Sequence, residues 1–452
     1  MKNGHTSNGI THSTNGHRHT VVDLFAGAGG ISEGFRQAGY SIVAGLDNDP
    51  DAMATYALNF PEAVAISGDV RRPAIREQLK EIIRNASVIV GGPPCQAFSQ
   101  VRNHTRVIDD PRNSLYREFV LAIRLARPSV FLMENVTGME QMGVRKQIGS
   151  DLSLDGEYRV VSQILDAADF GVPQTRRRLV FIGVRSALGI EPPQIVGTGA
   201  TRVMALGRTV GRRGASYKIE VNQDGSSQNL LKALSDPKDA SVVSASDAIS
   251  DLSGLPAGNR EDRISYLDLP PAQSAFQRNM RAAGRSILAN VQVPRIQSDT
   301  VLRLRAIPKG GNHRDLSGPL LRRYITGHRW GQDNGSGRLS RRHFYAYRRL
   351  HPQIWAWTLN TKADSVYHYF RPRSLSVREF ARLQSFPDRF IFASDPHRGP
   401  LPGRHDGGAA HSRYRQVGNA VPPLLARAIA AELMKVLKRE SAPRSQVVMS
   451  VR

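Results

Sequence analysis

Val21-Val22-Asp23-Leu24-Phe25-Ala26-Gly27-Ala28-Gly29-Gly30 is the stretch that decides the fold. Its first part reads as a buried strand, the glycines at 27, 29 and 30 break it, and a helical pattern opens at Gly30. Glycines at a strand-to-helix turn let the backbone come close to a ligand. The turn is not the dinucleotide fingerprint G-x-G-x-x-G, because Ser32 stands three residues past Gly29. Outward from it, strand-like runs recur at 42–47, 64–67, 88–90, 130–134, 159–165 and 179–184. Helical stretches fall between them at 30–37, 50–59, 75–83 and 114–126. This alternation from 20 to 185 predicts an α/β fold, a parallel sheet with helices on both faces. The last two strands are expected to pair like a hairpin across a long connection, 166–178.

Two acids follow the turn at the ends of successive strands. Asp47 ends the second strand, where a carboxylate can accept hydrogen bonds from ribose hydroxyls. Asp69, in Gly68-Asp69-Val70, ends the third and could accept from an adenine amino group. Either acid alone could be a helix cap. Taken as a set, a glycine turn and two acids fit a nucleoside cofactor with no diphosphate, and S-adenosylmethionine is the natural candidate. Phe25, Ala26, Gly27, Gly29, Gly30, Asp47, Asn48, Asp69 and Val70 are therefore the candidate cofactor contacts.

The chain has one cysteine, Cys95, in Gly91-Gly92-Pro93-Pro94-Cys95-Gln96. A single cysteine forms no intramolecular disulfide and no multi-cysteine metal cluster, so it is either an inert core thiol or a nucleophile. Burial is the usual fate of a free cysteine. Here Val88-Ile89-Val90 reads as a buried parallel strand, which Gly-Gly-Pro-Pro cannot continue. The thiol thus lies just past the carboxyl end of a strand, where open α/β sheets bind their ligands. That position favours a nucleophile.

Charge divides the chain. Residues 1–180 hold 20 Lys and Arg against 19 Asp and Glu, residues 181–370 hold 27 against 14, and residues 371–452 hold 15 against 6. A polyanion lying across one side of the molecule would account for that division. Residues 303–349 are dense in arginine, with Tyr324, Trp330, Phe344, Tyr345 and Tyr347 interleaved, a composition suited to a nucleic-acid groove. Arg322, Arg323, Arg341 and Arg342 are taken as its DNA contacts. Residues 1–19 are polar with nothing to bury, so a disordered tail is expected, and no metal is assigned to its histidines. No apolar run approaches the roughly 18 residues of a membrane span, nor does the N-terminus resemble a signal peptide. A soluble, cytoplasmic protein with no membrane partner is expected.

With Pro-Pro-Cys in place, the chain resembles the DNA cytosine-5 methyltransferases, especially the bacterial enzymes of restriction–modification systems. The matches run in order through 23–30, Asp47, 68–70, 91–99, Met133-Glu134-Asn135-Val136 and Gly171-Val172-Pro173-Gln174-Thr175-Arg176-Arg177-Arg178. They resume at 373–387 and end on Gln416-Val417-Gly418-Asn419-Ala420-Val421-Pro422. The resemblance implies a Rossmann-like S-adenosylmethionine-dependent methyltransferase sheet with an inserted, smaller, basic target-recognition domain. It covers most of 20–185 and 371–437 and matches little between them.

The chemistry implied is specific. Carbon-5 of cytosine is a poor nucleophile, and a thiolate adding to C6 converts the ring into an enamine whose C5 can attack a methyl sulfonium. Cys95 takes that role. Glu134 would meet N3 and the exocyclic amine, Arg178 would donate to O2, and Arg176 would help order the site. Pro93, Asn419 and Val421 would complete the cofactor site. The base must be flipped out of the duplex to be reached. The polar segment 96–110 fits a mobile loop closing over it, with Gln96, Ser99, Arg102 and Arg106 touching DNA.

The expected organisation is a tail (1–19), a catalytic and cofactor-binding domain (20–185) and a target-recognition domain (186–370). A segment returning to complete the catalytic domain (371–437) and a basic tail (438–452) follow. Double-stranded DNA is the expected partner, a cognate restriction endonuclease acting on the same site is allowed, and a monomer is the default. Two other readings stay open: an RNA-directed cytosine-5 methyltransferase and a DNA-binding protein without catalysis.

Overall fold

The computed structural model describes residues 19–94, 114–138, 144–198, 242–281, 285–320, 347–395 and 408–440. Its first part alternates β1 (Thr20–Leu24), α1 (Gly30–Gln37), β2 (Ser41–Asp47), α2 (Pro50–Asn59), β3 (Val64–Ser67), α3 (Pro73–Ile83) and β4 (Val88–Gly91). It continues with α4 (Ser114–Ala126), β5 (Val130–Val136), α5 (Arg145–Ser153), β6 (Tyr158–Asp166) and β7 (Arg177–Arg185). The seven strands form one sheet in the order β3-β2-β1-β4-β5-β7-β6. β1 to β5 pair in parallel, while β7 pairs antiparallel with both β5 and β6.

Alternation along the strands feeds two cores. Val21, Ile42, Val88 and Leu132 point to the face covered by α1 and α2, where Phe35, Tyr56 and Phe60 pack. Val22, Leu46, Ile89 and Met133 point to the other face, against α3, α4 and α5. Val88, Ile89 and Val90 are wholly buried, as a parallel strand covered on both faces must be. The strand order reverses between β1 and β4, so the crevice beyond Leu24 and Gly91 is where an open sheet of this kind takes its ligand.

The remaining elements are α6 (Ala245–Ile249), β8 (Arg263–Ser265), α7 (Ala275–Arg281), β9 (Ile287–Ala289), α8 (Ser298–Ala306), α9 (Val377–Leu383), α10 (Gly408–Asn419) and α11 (Pro423–Glu440). β8 and β9 form a separate antiparallel pair. Part of the 186–370 segment shares the main core: Ala245, Ala248, Ile249, Phe276 and Met280 pack in the cluster that holds Phe380 and Phe386. Two smaller clusters, one around Leu252 and Leu288 and one around Leu304 and Tyr347, lie apart from it.

α11 lies along α1, so closely that a Cβ on Gly34 would come within 2.5 Å of Ala426 Cβ. One expectation is corrected here: the positive charge of 371–452 is not all directed at a polyanion. Arg373 makes two 2.8 Å bonds to Glu379, and Arg382 bonds Asp388 at 2.7 and 2.8 Å and Asp251 at 2.6 Å. Arg378 donates to the carbonyls of Ala289, Pro387 and Phe390. All three side chains are fully buried, and α9 opens with a capping box between Ser376 and Glu379. Buried arginines need such partners, and their charge is internal. The same holds at 303–349: Arg303 is buried against Tyr347, and Arg349 donates to the carbonyls of Leu304 and Ile307. Arg322, Arg323, Arg341 and Arg342 lie outside the described residues.

Candidate active site at the carboxyl edge of the sheet

The cofactor side is built on the glycine turn. Phe25, Gly27 and Gly29 all take positive φ, 60°, 54° and 96°. Gly29 is the N-cap residue of α1 and has no side chain to cap it. Asp23 substitutes from β1: its Oδ2 accepts from the Ser32 N–H at 3.2 Å and from Ser32 Oγ at 2.7 Å. Ser32 Oγ in turn lies 3.0 Å from the Tyr56 hydroxyl. Burial raises the Asp23 carboxyl to about 7, opposed by the Ser32 bonds. Its Oδ1 is buried with no hydrogen-bond partner.

Asp47 holds the turn from the side. Gly27 N–H donates to Asp47 Oδ2 at 2.9 Å, and Asp49 N–H donates to Asp47 Oδ1 at 2.8 Å. Burial pushes its pKa up, with the N–H bonds opposing. Backbone N–H groups take up only part of its acceptor capacity, and the remaining lone pairs are what a pair of vicinal ribose hydroxyls requires. Asp69 is more committed. Three donors of Arg71 engage it, at 2.6 to 3.1 Å, and they hold its pKa down to about 2. It fits an adenine amino group less freely than Asp47 fits the ribose. Val70 beside it is buried.

Across the switch point lies the second half. Arg178 Nε is 2.6 Å from Glu134 Oε1, and the two side chains are 12% and 13% exposed. Gly92 lies against this pair, since a Cβ there would come 2.8 Å from Glu134 Oε2. Asn135 Nδ2 donates to the Pro93 carbonyl at 3.0 Å. The end of β5 therefore fixes the chain two residues before Cys95. Cys95, Gln96, Ser99, Arg102 and Arg106 themselves lie outside the described residues.

Arg176 does not join Arg178 at this edge. It is 2% exposed and donates to the carbonyls of Leu359 at 3.1 Å and Gly418 at 2.7 Å. Burial drives its pKa well down, Arg178 adds to that, and Glu134 opposes it. Arg176 thus ties the entry of β7 to the end of α10, where Asn419 is exposed. A Cβ on Gly30 would meet the Val421 carbonyl at 2.2 Å. The structure brings Ala420 and Val421 against the glycine turn. Sequence reasoning assigned no role to Asp23, which bonds Ser32 nine residues on, or to Asn135 and Arg415, whose partners are distant in the chain. Among the described residues, no group of three or more His, Cys, Asp or Glu is placed to hold a metal. Nor is any described helix long and apolar enough to cross a membrane.

The chain belongs to the family of C-5 cytosine-specific DNA methylases, whose family model matches residues 19–435. It is 31% identical over 433 residues to the type II methyltransferase M.DdeI of Desulfomicrobium norvegicum, covering 91% of this chain and 88% of that protein. It is 29% identical over 426 residues to the type II methyltransferase M1.HphI of Haemophilus parahaemolyticus, covering 93% and 88%. A solved E. coli prophage protein, described as a DNA modification methyltransferase, shares the fold with a TM-score of 0.62 at 22% identity, covering 93% of this chain and 99% of its own. The protein is a cytosine-5 DNA methyltransferase of the restriction–modification type, and family and fold imply S-adenosylmethionine as the methyl donor.

Proposed function

We propose that the protein methylates C5 of a cytosine flipped out of duplex DNA, through a transient bond from Cys95 Sγ to C6. The observation that carries this reading is the Glu134–Arg178 pair, set against Gly92 with Asn135 holding Pro93. Cys95 follows Pro93 by two residues in the sequence, which supports a thiol acting beside this acid and guanidinium. Bound at the glycine turn, S-adenosylmethionine supplies an electrophilic methyl carbon. Asp47 would accept from its ribose hydroxyls, and Asn419 and Val421 would hold its methionine end.

Cys95 adds as a thiolate to C6, and the C5–C6 π pair becomes available at C5. Glu134 meets N3 and the exocyclic amine and shares a proton with N3 as negative charge develops on the ring, while Arg178 donates to O2. Once C5 carries the methyl group its proton is lost, the electron pair re-forms the double bond, and Cys95 leaves as thiolate. Extrusion of the base takes a few kcal/mol, and residues 186–370 form the DNA-reading insertion that supplies it. The protein works as a monomer in the cytoplasm, and its methylation shields host DNA from an endonuclease that cuts the same site.

Duplex DNA containing 5-fluorocytosine, offered with S-adenosylmethionine, tests the mechanism, because fluorine cannot leave as a proton does. A denaturant-resistant protein–DNA complex is expected from the natural chain and none from Cys95→Ala, which should still bind DNA. A Cys95→Ala protein that methylates, or a natural chain that is never trapped, refutes the assignment. Transfer RNA offered in place of DNA should not be methylated.

A further inference from the structure

The two halves of the cofactor site come from opposite ends of the chain: the glycine turn and Asp47 near the start, Asn419 and Val421 near the finish. We propose that Arg415 is the positioning residue that locks these halves into one frame, acting through Asp49. The inference rests on the reading that S-adenosylmethionine lies between the glycine turn, Asp47 and Asn419.

A continuous run of hydrogen bonds carries it. Gly27 N–H donates to Asp47 Oδ2 at 2.9 Å, and Asp49 N–H donates to Asp47 Oδ1 at 2.8 Å. The Asp49 carboxylate then serves two partners. Its Oδ1 accepts from the Asp51 N–H at 3.1 Å, capping α2, and its Oδ2 accepts from Arg415 Nη2 at 2.8 Å. Arg415 stands on α10 about one turn before Asn419. The place of α10 is thereby set against the carboxylate of Asp47 through Asp49.

Neighbouring contacts keep α10 from sliding. Ser412 Oγ donates to Asp51 Oδ2 at 2.5 Å, and Thr55 Oγ1 donates to Gln416 Oε1 at 2.6 Å. The far end of the helix is held from the β7 side by Arg176 on the Gly418 carbonyl. Charge points the same way. Asp47, Asp49 and Asp51 crowd one short loop, and Arg415 reaches the last of them at 3.7 Å. Arg415 offsets that negative charge at Asp49 and Asp51, while Asp47 is bonded by backbone N–H groups and keeps acceptor capacity for the ligand.

A positioning residue of this kind acts on the cofactor and not on DNA. Titration calorimetry with S-adenosylmethionine and with S-adenosylhomocysteine, on the full chain without DNA, reads it directly. Removing a charge-assisted hydrogen bond that is about a quarter exposed should weaken both ligands about fivefold to tenfold in Arg415→Met. The KM for DNA and the kcat at saturating cofactor should stay within about twofold of the natural chain. Arg415→Lys should recover part of the affinity, because it keeps the charge without the planar fork. Asp49→Asn should weaken binding similarly, and the double variant should be no weaker than either single one.

Asp47→Ala separates the inference from the reading beneath it. If Asp47→Ala loses the cofactor while Arg415→Met binds like the natural chain, the role of Arg415 is refuted and the site stands. If both bind like the natural chain, the site itself is misplaced. If Arg415→Met loses DNA affinity in step with cofactor affinity, Arg415 is a general structural residue and the proposal fails. Should Arg415→Met not fold, Arg415→Lys and Asp49→Asn give the same comparison.

Discussion

Gly34→Ala puts the junction of the two ends of the chain to a quantitative test. Alanine at an internal helix position normally stabilises by about 1 kcal/mol relative to glycine. Here the new Cβ would lie 2.5 Å from Ala426 Cβ, 2.5 Å from the Pro423 carbonyl oxygen and 2.6 Å from the Arg427 nitrogen. Carbon contacts are comfortable only at about 3.5–4.0 Å, so α1 and α11 must part by about 1 Å. Two of the three obstructing atoms are backbone, and no rotamer change relieves them. Overpacking in a rigid contact costs about 3 kcal/mol, the upper part of its usual range. Less the helix-propensity gain, a net loss of about 2 kcal/mol remains. For a catalytic unit of this size that lowers Tm by roughly 4–8 °C. The same displacement lifts the Val421 carbonyl from Gly30, so cofactor affinity should fall as well. Urea unfolding and calorimetric cofactor titration measure the two effects. A Gly34→Ala protein as stable as the natural chain, or more so, would show that α11 does not lie this close to α1.

Glu134→Gln keeps the shape of the side chain but removes the carboxylate that faces Arg178 and that would exchange a proton with N3. Single-turnover methylation should slow by about 10²–10⁴, the usual contribution of a positioned acid, while DNA affinity changes little. An unchanged rate would place the acid elsewhere. Asp23 predicts a pH effect on stability. Its carboxyl is held up to about 7 by burial, against 3.8 in the unfolded chain. As pH rises the unfolded chain ionises first, so the Asp23 contribution is full below about pH 4 and is lost as pH climbs to about 7, at most roughly 4 kcal/mol. Asp23→Asn removes that slope, and denaturant titrations should show its stability relative to the natural chain rising over this interval. A pH-independent difference would mean that Asp23 is not the buried, cation-free carboxyl described here.

Much of this architecture was legible because burial leaves a mark on local sequence. A parallel strand covered on both faces must be apolar throughout, as Val88-Ile89-Val90 is, and a turn with positive φ selects glycine at 27 and 29. Asp47 could be placed from its position at a strand end. The hairpin-like, antiparallel pairing of β6 and β7 was expected from the sequence, but the place of β7 between β5 and β6 was not, because an apolar run does not record its neighbours in a sheet. The arginines misled for a physical reason. A charge count records a guanidinium and not its partner, and the partner of Arg382 at Asp251 lies 131 residues away. Asn135 and Arg415 escaped notice likewise, since Pro93 and Asp49 become their neighbours only once the sheet is assembled.

The antiparallel strand is also what allows the Glu134–Arg178 pair to form. In a parallel sheet the edge beyond β4 and β5 collects only residues that end strands, such as Glu134. β7 runs the other way, so its beginning lies at that edge, with Arg178 opposite Val136 and diagonal to Glu134. Its last residue, Arg185, is then at the far edge, and the chain must return before an insertion can reach the site. It does so alongside β6: Arg159 bonds Glu191, Gln163 bonds the Ile195 N–H, and the Thr198 N–H donates to the Asp169 carbonyl just past the end of β6. When the described chain resumes, Ala245 N–H donates to Ile354, and Ala356 exchanges bonds with Pro173 and Thr175 just ahead of Arg178. Thr198 and Ala356 are therefore both bonded near the edge that holds Glu134 and Arg178, where the DNA-reading segment proposed for 186–370 would need its anchors to reach a base presented there.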